Sequence, residues 1–565
     1  MTALFLAGSA VAVAFGVVDR GQPSAPGTAT PVKPGHVAVW PVRPDAGPAE
    51  LATQDNSRVG QIANLATLHL AQVRGEGRQP SAYTVPSAPT PTLVLTPRHH
   101  PYLVRELLRL APGAIVAQGD GAYLARENIL VQAGATLRLA SQGRPLTLRL
   151  RSDPRGFVTL TSFGGRIVVA GTTAAPVTLE SWDSGAATPD LEVGDGRAYL
   201  RTIGGTLSIA DGRFGSLGFA EGPTSGVTAG RATSPRLASL VPAVTVRDSR
   251  FTGGAEGLLV SGASRLHVIR SEFDGNLLSG LELHQPASDS ELASDHAAGN
   301  GLDGFTVRGG EGVIRLQSDK AVRNGRAGFS VVGRSVTGEI AGGAEILAAE
   351  AEGNAVVGVE LADAMNSVVR GSRIGDSPIG VIVSGESQNV TVASNQLSDL
   401  AQRAVYVHDG PNGVSVVGNQ IVKAAVAVNV RESSVDVTDN TIGIAVYDGR
   451  LRHAISFTGG VATSRVDGNR LSGNGWSAVD ATQVETGRVV VTGNDLGGWV
   501  RMHGRSSADG PWLTWPTVAR LVMILLFGVL VMGRYRPGAP QPRGGGVVLP
   551  RPRVGEDSAP TPSRR

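Results

Sequence analysis

From about residue 240 to residue 496 one short pattern keeps returning: a small residue, usually Gly, followed by an apolar-x-apolar triplet. The clearest copies are Gly257-Leu-Leu-Val, Gly280-Leu-Glu-Leu, Gly304-Phe-Thr-Val, Gly328-Phe-Ser-Val, Gly358-Val-Glu-Leu and Gly380-Val-Ile-Val. Looser copies begin at Ala404, Ala425, Ala454 and Ala478, and the successive intervals are 23, 24, 24, 30, 22, 24, 21, 29 and 24 residues. A fixed period of this length marks a solenoid. Apolar-x-apolar is strand alternation, and the Asn, Gly, Asp and Ser between triplets are turn formers. Helical repeats need longer units and an apolar stripe, which this segment lacks. About 24 residues suffice for one coil of three short strands and three turns. A single coil cannot bury its own apolar side, so neighbouring coils must stack into one narrow core.

An Asn or Ser stands two places before an apolar residue in most units: Ser249, Ser271, Ser372, Asn395, Asn419, Asn440, Asn469 and Asn494. Asn tolerates the left-handed backbone of a sharp turn and can bond to the Asn of the next coil. On these residues the chain resembles the right-handed parallel β-helix, or pectin-lyase-like, superfamily. The resemblance implies an all-β chain, a single right-handed parallel β-helix solenoid. It implies no particular activity, because lyases, hydrolases, epimerases, adhesins and binding proteins share the fold.

The 76 Gly among 565 residues suit the turns, and aromatics at 4% suit a core of stacked Val, Ile, Leu and Ala. A net charge of +3, with no basic stripe interleaved with aromatics, argues against a nucleic-acid partner. The absence of Cys removes disulfides, Cys-ligated zinc and thiol catalysis. No cofactor motif or metal loop appears in a suitable context.

The ends suggest a membrane. Residues 1–19 are mostly apolar, as in a signal peptide or an N-terminal anchor. Residues 512–533 read as a transmembrane helix, with Trp512 and Trp515 at the interface and Arg520 near one end. The tail 534–565 is rich in Arg and Pro, so the positive-inside rule places it in the cytoplasm and the solenoid outside the cell. Residues 20–91 form a Pro-rich linker in which Leu51–Val73 has the pattern of a short helix. The β-helix is assigned to 92–511, with Tyr102–Leu110 as a helix that caps its N-terminal end.

With the small marker at position zero, positions two and four point outwards. The second-position ladder is Leu259, Glu282, Thr306, Ser330, Glu360, Ile382, Tyr406, Ala427, Ser456 and Asp480. The fourth is Ser261, His284, Arg308, Val332, Ala362, Ser384, His408, Asn429, Thr458 and Thr482. Tyr406 and His408 are the candidate acid and base. Glu282, His284, Arg308 and Glu360, with Asp448 and Arg450 in a loop expected near Tyr447–His453, are the candidate ligand contacts. Proton abstraction beside a uronate carboxylate needs a base, an acid and a cation. Tyr406-Val-His408-Asp409 is similar to part of the signature of mannuronan C5-epimerases, which lie in the same superfamily, but lacks its Asp-Pro. Lys423 and Arg431 fall off these ladders, which leaves the cation unassigned. Three readings follow. The chain binds or guides a cell-surface polysaccharide without chemistry, or it is an epimerase or lyase on a uronic-acid polymer, or it is a spacer or adhesin. The weak catalytic pattern favours the first.

Overall fold

The computed structural model describes residues 47–77, 81–231, 240–287, 289–310, 312–335, 338–444 and 452–502. Successive coils pair strand on strand, giving three parallel ladders along one axis. The first carries the repeat. Leu258, Leu281, Phe305, Phe329, Val359, Val381, Val405, Val428 and Ile455 lie in register, each inward and buried. The second ladder stacks Val246, Val268, Leu292, Leu316 and Ile346. The third stacks Phe214, Phe251, Phe273, Ala297 and Ala321. Few aromatics are needed because those present are stacked in the core: Phe214 on Phe251 at 4.7 Å and Phe251 on Phe273 at 5.0 Å.

Side-chain amides tie the coils together at two turns. Asn395 Nδ2 donates to Asn419 Oδ1 at 3.0 Å, and Asn419, Asn440, Asn469 and Asn494 continue the chain. A second ladder, missed in the sequence, joins Asn276, Asn300, Asn324 and Asn354. Each stands four places before a position-zero glycine, and that spacing was its signal. These amides explain the glycines. A Cβ on Gly280 would meet the Gly304 carbonyl oxygen at 2.8 Å and Asn300 Nδ2 at 2.9 Å. Beyond Asn354 this ladder ends at Ser377, and the same turn then carries buried Leu400 and Ala424. There position zero becomes Ala404, Ala427 and Ala454.

The register corrects the sequence reading in the later coils. Val428 pairs with Val405, and the strand Gln420–Arg431 shifts by one residue against Gln396–His408 between Leu400 and Arg403. Position zero is therefore Ala427, not Ala425. Asn429, not Ala427, stands beside Tyr406, and Arg431, not Asn429, stands beside His408. In the last coil Gln483 replaces Thr482 opposite Thr458.

At the N-terminal end, parallel pairing starts at Thr92–Leu95 on Asn128–Gln132. Helix α2, Val104–Leu110, buries Val104 and Leu107 in the solenoid core and caps it. Helix α1, Pro48–Gly75, is longer than the pattern at Leu51–Val73 and does not run free as part of a linker. Ile62 and Ala66 pack on outward-facing Val94 and Leu130, and Val59 packs on Ile203. Between them lies a buried polar joint. Arg58 Nε donates to Asp55 Oδ1 at 2.7 Å, Arg58 Nη2 donates to Thr159 Oγ1 at 3.1 Å, and the Tyr199 hydroxyl donates to Asp55. Burial pushes the Tyr199 hydroxyl well above its usual range, with the Asp55 carboxylate adding to it. The outward face is thus apolar and covered in the first coils and opens only further along.

Residues 1–19, 512–533 and 534–565 lie outside the described residues. Among the described residues no helix is long and apolar enough to cross a membrane.

Two tests follow from the turn ladders. Asn300 accepts from the Asn276 N–H and side chain and donates to the Phe273 carbonyl and to Asn324. Asn300→Ala leaves these buried groups unpaired and should cost about 2–4 kcal/mol in urea unfolding. In the other ladder, Asp295 and Asp319 take the place held elsewhere by Ser or Asn. Asp319 Oδ1 accepts the Asp295 N–H at 2.8 Å, and Asp295 Oδ1 accepts the Ser271 N–H at 2.7 Å. Burial pushes Asp295 up to about 7 and Asp319 well above the usual carboxylate range. Such carboxyls stabilise the fold fully only below the unfolded value of ~3.9, and the contribution is lost as pH rises through the folded value. Asp319→Asn should raise the thermal midpoint at pH 8 by about 2–4 °C and leave it nearly unchanged at pH 4.

Candidate functional site

The outward face of the first ladder divides into three groups. In the first, the structure brings Glu282, His284 and Arg308 together. Glu282 Oε1 accepts from Arg308 Nε at 2.9 Å and lies 2.6 Å from His284 Nε2. Glu256, one place before Gly257 and absent from the sequence candidates, joins them. It is 4% exposed, and its Oε2 accepts the Ser225 hydroxyl at 2.9 Å. Burial pushes Glu256 well above the usual range, and the Glu282 carboxylate adds to it. Burial acts the same way on Glu282, but the His284 hydrogen bond and charge and the Arg308 guanidinium outweigh it and hold that carboxyl low. The two carboxyls are thus driven in opposite directions. Glu282 is occupied by Arg308 and His284, so the groups left facing solvent are those two half-exposed side chains.

Glu360 belongs to a second group, apart from Glu282. Arg326 reaches Asp303 Oδ2 at 2.6 Å and Glu360 Oε2 at 2.5 Å, while Ser330 donates to Glu360 at 3.1 Å. Thr306 donates to Asp303 at 2.9 Å. Burial works against the Arg326 charge, but the two carboxylates raise it above its ordinary value. This network closes over Thr306 and Ser330, which point outwards and are nonetheless buried. Glu360 is spent in the network, and so is the buried Asp303.

The third group contains Tyr406 and His408. Their rings stack at 4.3 Å, and the Arg403 guanidinium lies over the Tyr406 ring at 4.3 Å. His408 Nδ1 is 2.8 Å from Asp409 Oδ2. Arg403 Nε donates to Asn429 Oδ1 at 2.9 Å, which fixes the guanidinium between the two coils. The shifted register adds Arg431 beside His408, so a cation stands on the ladder position that the sequence had given to Asn429. Arg431 is 54% exposed and meets Glu432 at 3.4 Å. Adjoining the group is a cavity of about 470 Å³ lined by Gln402, Arg403, Asn429, Arg452, His453 and Ser456, among others. Asp448 and Arg450, the candidate contacts from the loop expected near Tyr447–His453, lie outside the described residues. Arg403, Asn429, Arg431 and His453 were not among the sequence candidates. For Arg431 the signal was the second triplet, Val428-Asn-Val, which overlaps the first.

Residues 336–442 match the family model described as "Right handed beta helix region". No curated protein sequence matches the chain significantly. Among solved structures, the periplasmic alginate epimerase AlgG is similar at 14% identity over 71% of this chain and 85% of that one, with a TM-score of 0.42. The catalytic unit of the GH87 alpha-1,3-glucanase from Streptomyces thermodiastaticus is similar at 12% identity over 72% and 68%, with a TM-score of 0.36. The receptor binding domain of the Siphovirus 9NA tailspike is similar at 11% identity over 68% and 75%, with a TM-score of 0.31.

Proposed function

We propose that this protein binds an acidic polysaccharide along the outward face of the first ladder, with Arg403, Tyr406, His408 and Arg431 as the principal contacts. The observation that carries the reading is the placement of Arg431 beside His408, one coil from Tyr406 and Arg403. Two guanidinium groups can meet carboxylates with paired donors. Successive coils about 4.8 Å apart make a continuous surface suited to an extended chain. In this reading the apolar segment 512–533 tethers the solenoid to a cell membrane, with the basic tail 534–565 in the cytoplasm.

The same observation favours a second reading, an epimerase or lyase on a uronic-acid polymer. Arg431 would neutralise the sugar carboxylate and so acidify the neighbouring C–H, while Tyr406 and His408 would exchange protons with that carbon.

The test offers the full-length protein a panel of acidic and neutral polysaccharides, recording binding, absorbance of unsaturated products and NMR of epimerised residues. Binding to the acidic members should weaken about tenfold in Arg431→Ala, the size of one lost charge-assisted contact, and should fall with salt. Turnover abolished by His408→Ala would establish the enzyme. Equal binding by wild type and Arg431→Ala, with no turnover by the wild type, would overturn both readings.

A further inference from the structure

We propose that Ser477, His453 and Asp480 form an acyl-transfer site that hydrolyses an ester on a bound ligand, an O-acylated sugar being the substrate class. The sugar part of that class rests on the polysaccharide reading above. The acyl chemistry rests on a separate arrangement of side chains.

Ile455 and Val479 are in register, so His453 and Ser477 occupy the same place on adjacent coils, two residues before them. Ser477 Oγ is 2.7 Å from His453 Nδ1, and His453 Nε2 is 3.4 Å from Asp480 Oδ2. Asp480 Oδ1 accepts from the Thr482 N–H at 3.1 Å and from the Thr482 hydroxyl at 2.7 Å. Those two bonds fix the carboxylate and leave Oδ2 to His453. The side chain of Asp480 is 12% exposed and that of His453 28%, so the carboxylate is sheltered and the imidazole partly open. A carboxylate at Nε2 holds the imidazole proton there and turns the Nδ1 lone pair toward the serine hydroxyl. Nucleophile, base and orienting carboxylate therefore stand in the order that serine acyl transfer needs. His453 also lines the 470 Å³ cavity together with Arg403, Asn429 and Ser456. The cavity gives the ester a place beside the base, and its guanidinium and amide groups are donors for a developing oxyanion.

The steps balance without a cofactor. Ser477 Oγ attacks the ester carbonyl carbon as its proton passes to His453 Nδ1. The ester C–O bond breaks, and the sugar oxygen leaves with that proton. Water then attacks the acyl-serine, again giving a proton to Nδ1, and the carboxylic acid and free Ser477 are released. Asp480 is a positioning residue that acts through His453.

The full-length protein would be treated with a fluorophosphonate probe and the modified peptide mapped by mass spectrometry. Hydrolysis of p-nitrophenyl acetate, which carries no sugar, would be followed in parallel. Modification is expected at Ser477, with hydrolysis lost in Ser477→Ala and both reactions slowed about 100-fold in His453→Gln. Asp480→Asn is expected to slow hydrolysis and displace its pH profile, which a merely structural role would not do. Native protein left unmodified at Ser477, or modified equally fast with His453→Gln, overturns the proposal. Because the wild-type labelling is decisive by itself, an unstable variant does not rescue the idea. The polysaccharide panel above is a separate measurement, so the two proposals fail independently.

Discussion

The structure depends on close contact between one coil and the next. No coil has a core of its own, since Leu281 is buried only because Leu258 and Phe305 lie against it in register. Backbone hydrogen bonds run between coils, and the Asn ladders repeat that bonding through side chains at the turns. This contact restricts the amino acids allowed. Position zero is Gly at 257, 280, 304 and 328, where an Asn side chain and the next carbonyl press on it, and at 358 and 380, where the next carbonyl and apolar side chains do. The repeat in the sequence is the trace of that packing.

The same stacking organises the surface. The outward ladder changes character along the axis. It is apolar under helix α1, buried and ion-paired from Glu256 to Glu360, and open with cationic and aromatic groups around Tyr406. The last stretch joins exposed recognition groups to a cavity. The middle stretch resembles a binding site in sequence because it contains Glu282, Arg308 and Glu360. Its charges are satisfied internally: Glu282 by His284 and Arg308, and Glu360 by Arg326.

Much of the fold was legible because a two-residue alternation and a fixed period report strand stacking directly. The capping segment near Tyr102 was legible because a solenoid needs its end covered. Helix α1 was harder. Its sequence shows an apolar pattern, but nothing local indicates that Asp55 and Arg58 are buried against Tyr199 and Thr159, more than one hundred residues away. Glu256 was missed because it stands one place before the position-zero glycine, and its partner Ser225 and neighbouring charge Glu282 are on other coils.

Arg431 shows where the division falls. The segment Val426-Ala-Val428-Asn-Val430 contains two overlapping apolar-x-apolar triplets, and either satisfies the pattern. The sequence by itself determined the solenoid, its turns and the inward or outward sense of most side chains, because alternation is a local property. Which triplet pairs with Val405 is set by the one-residue shift between neighbouring strands. Register is a relation between two coils, so only the tertiary structure decided that Arg431 stands beside His408 and that His453 meets Ser477.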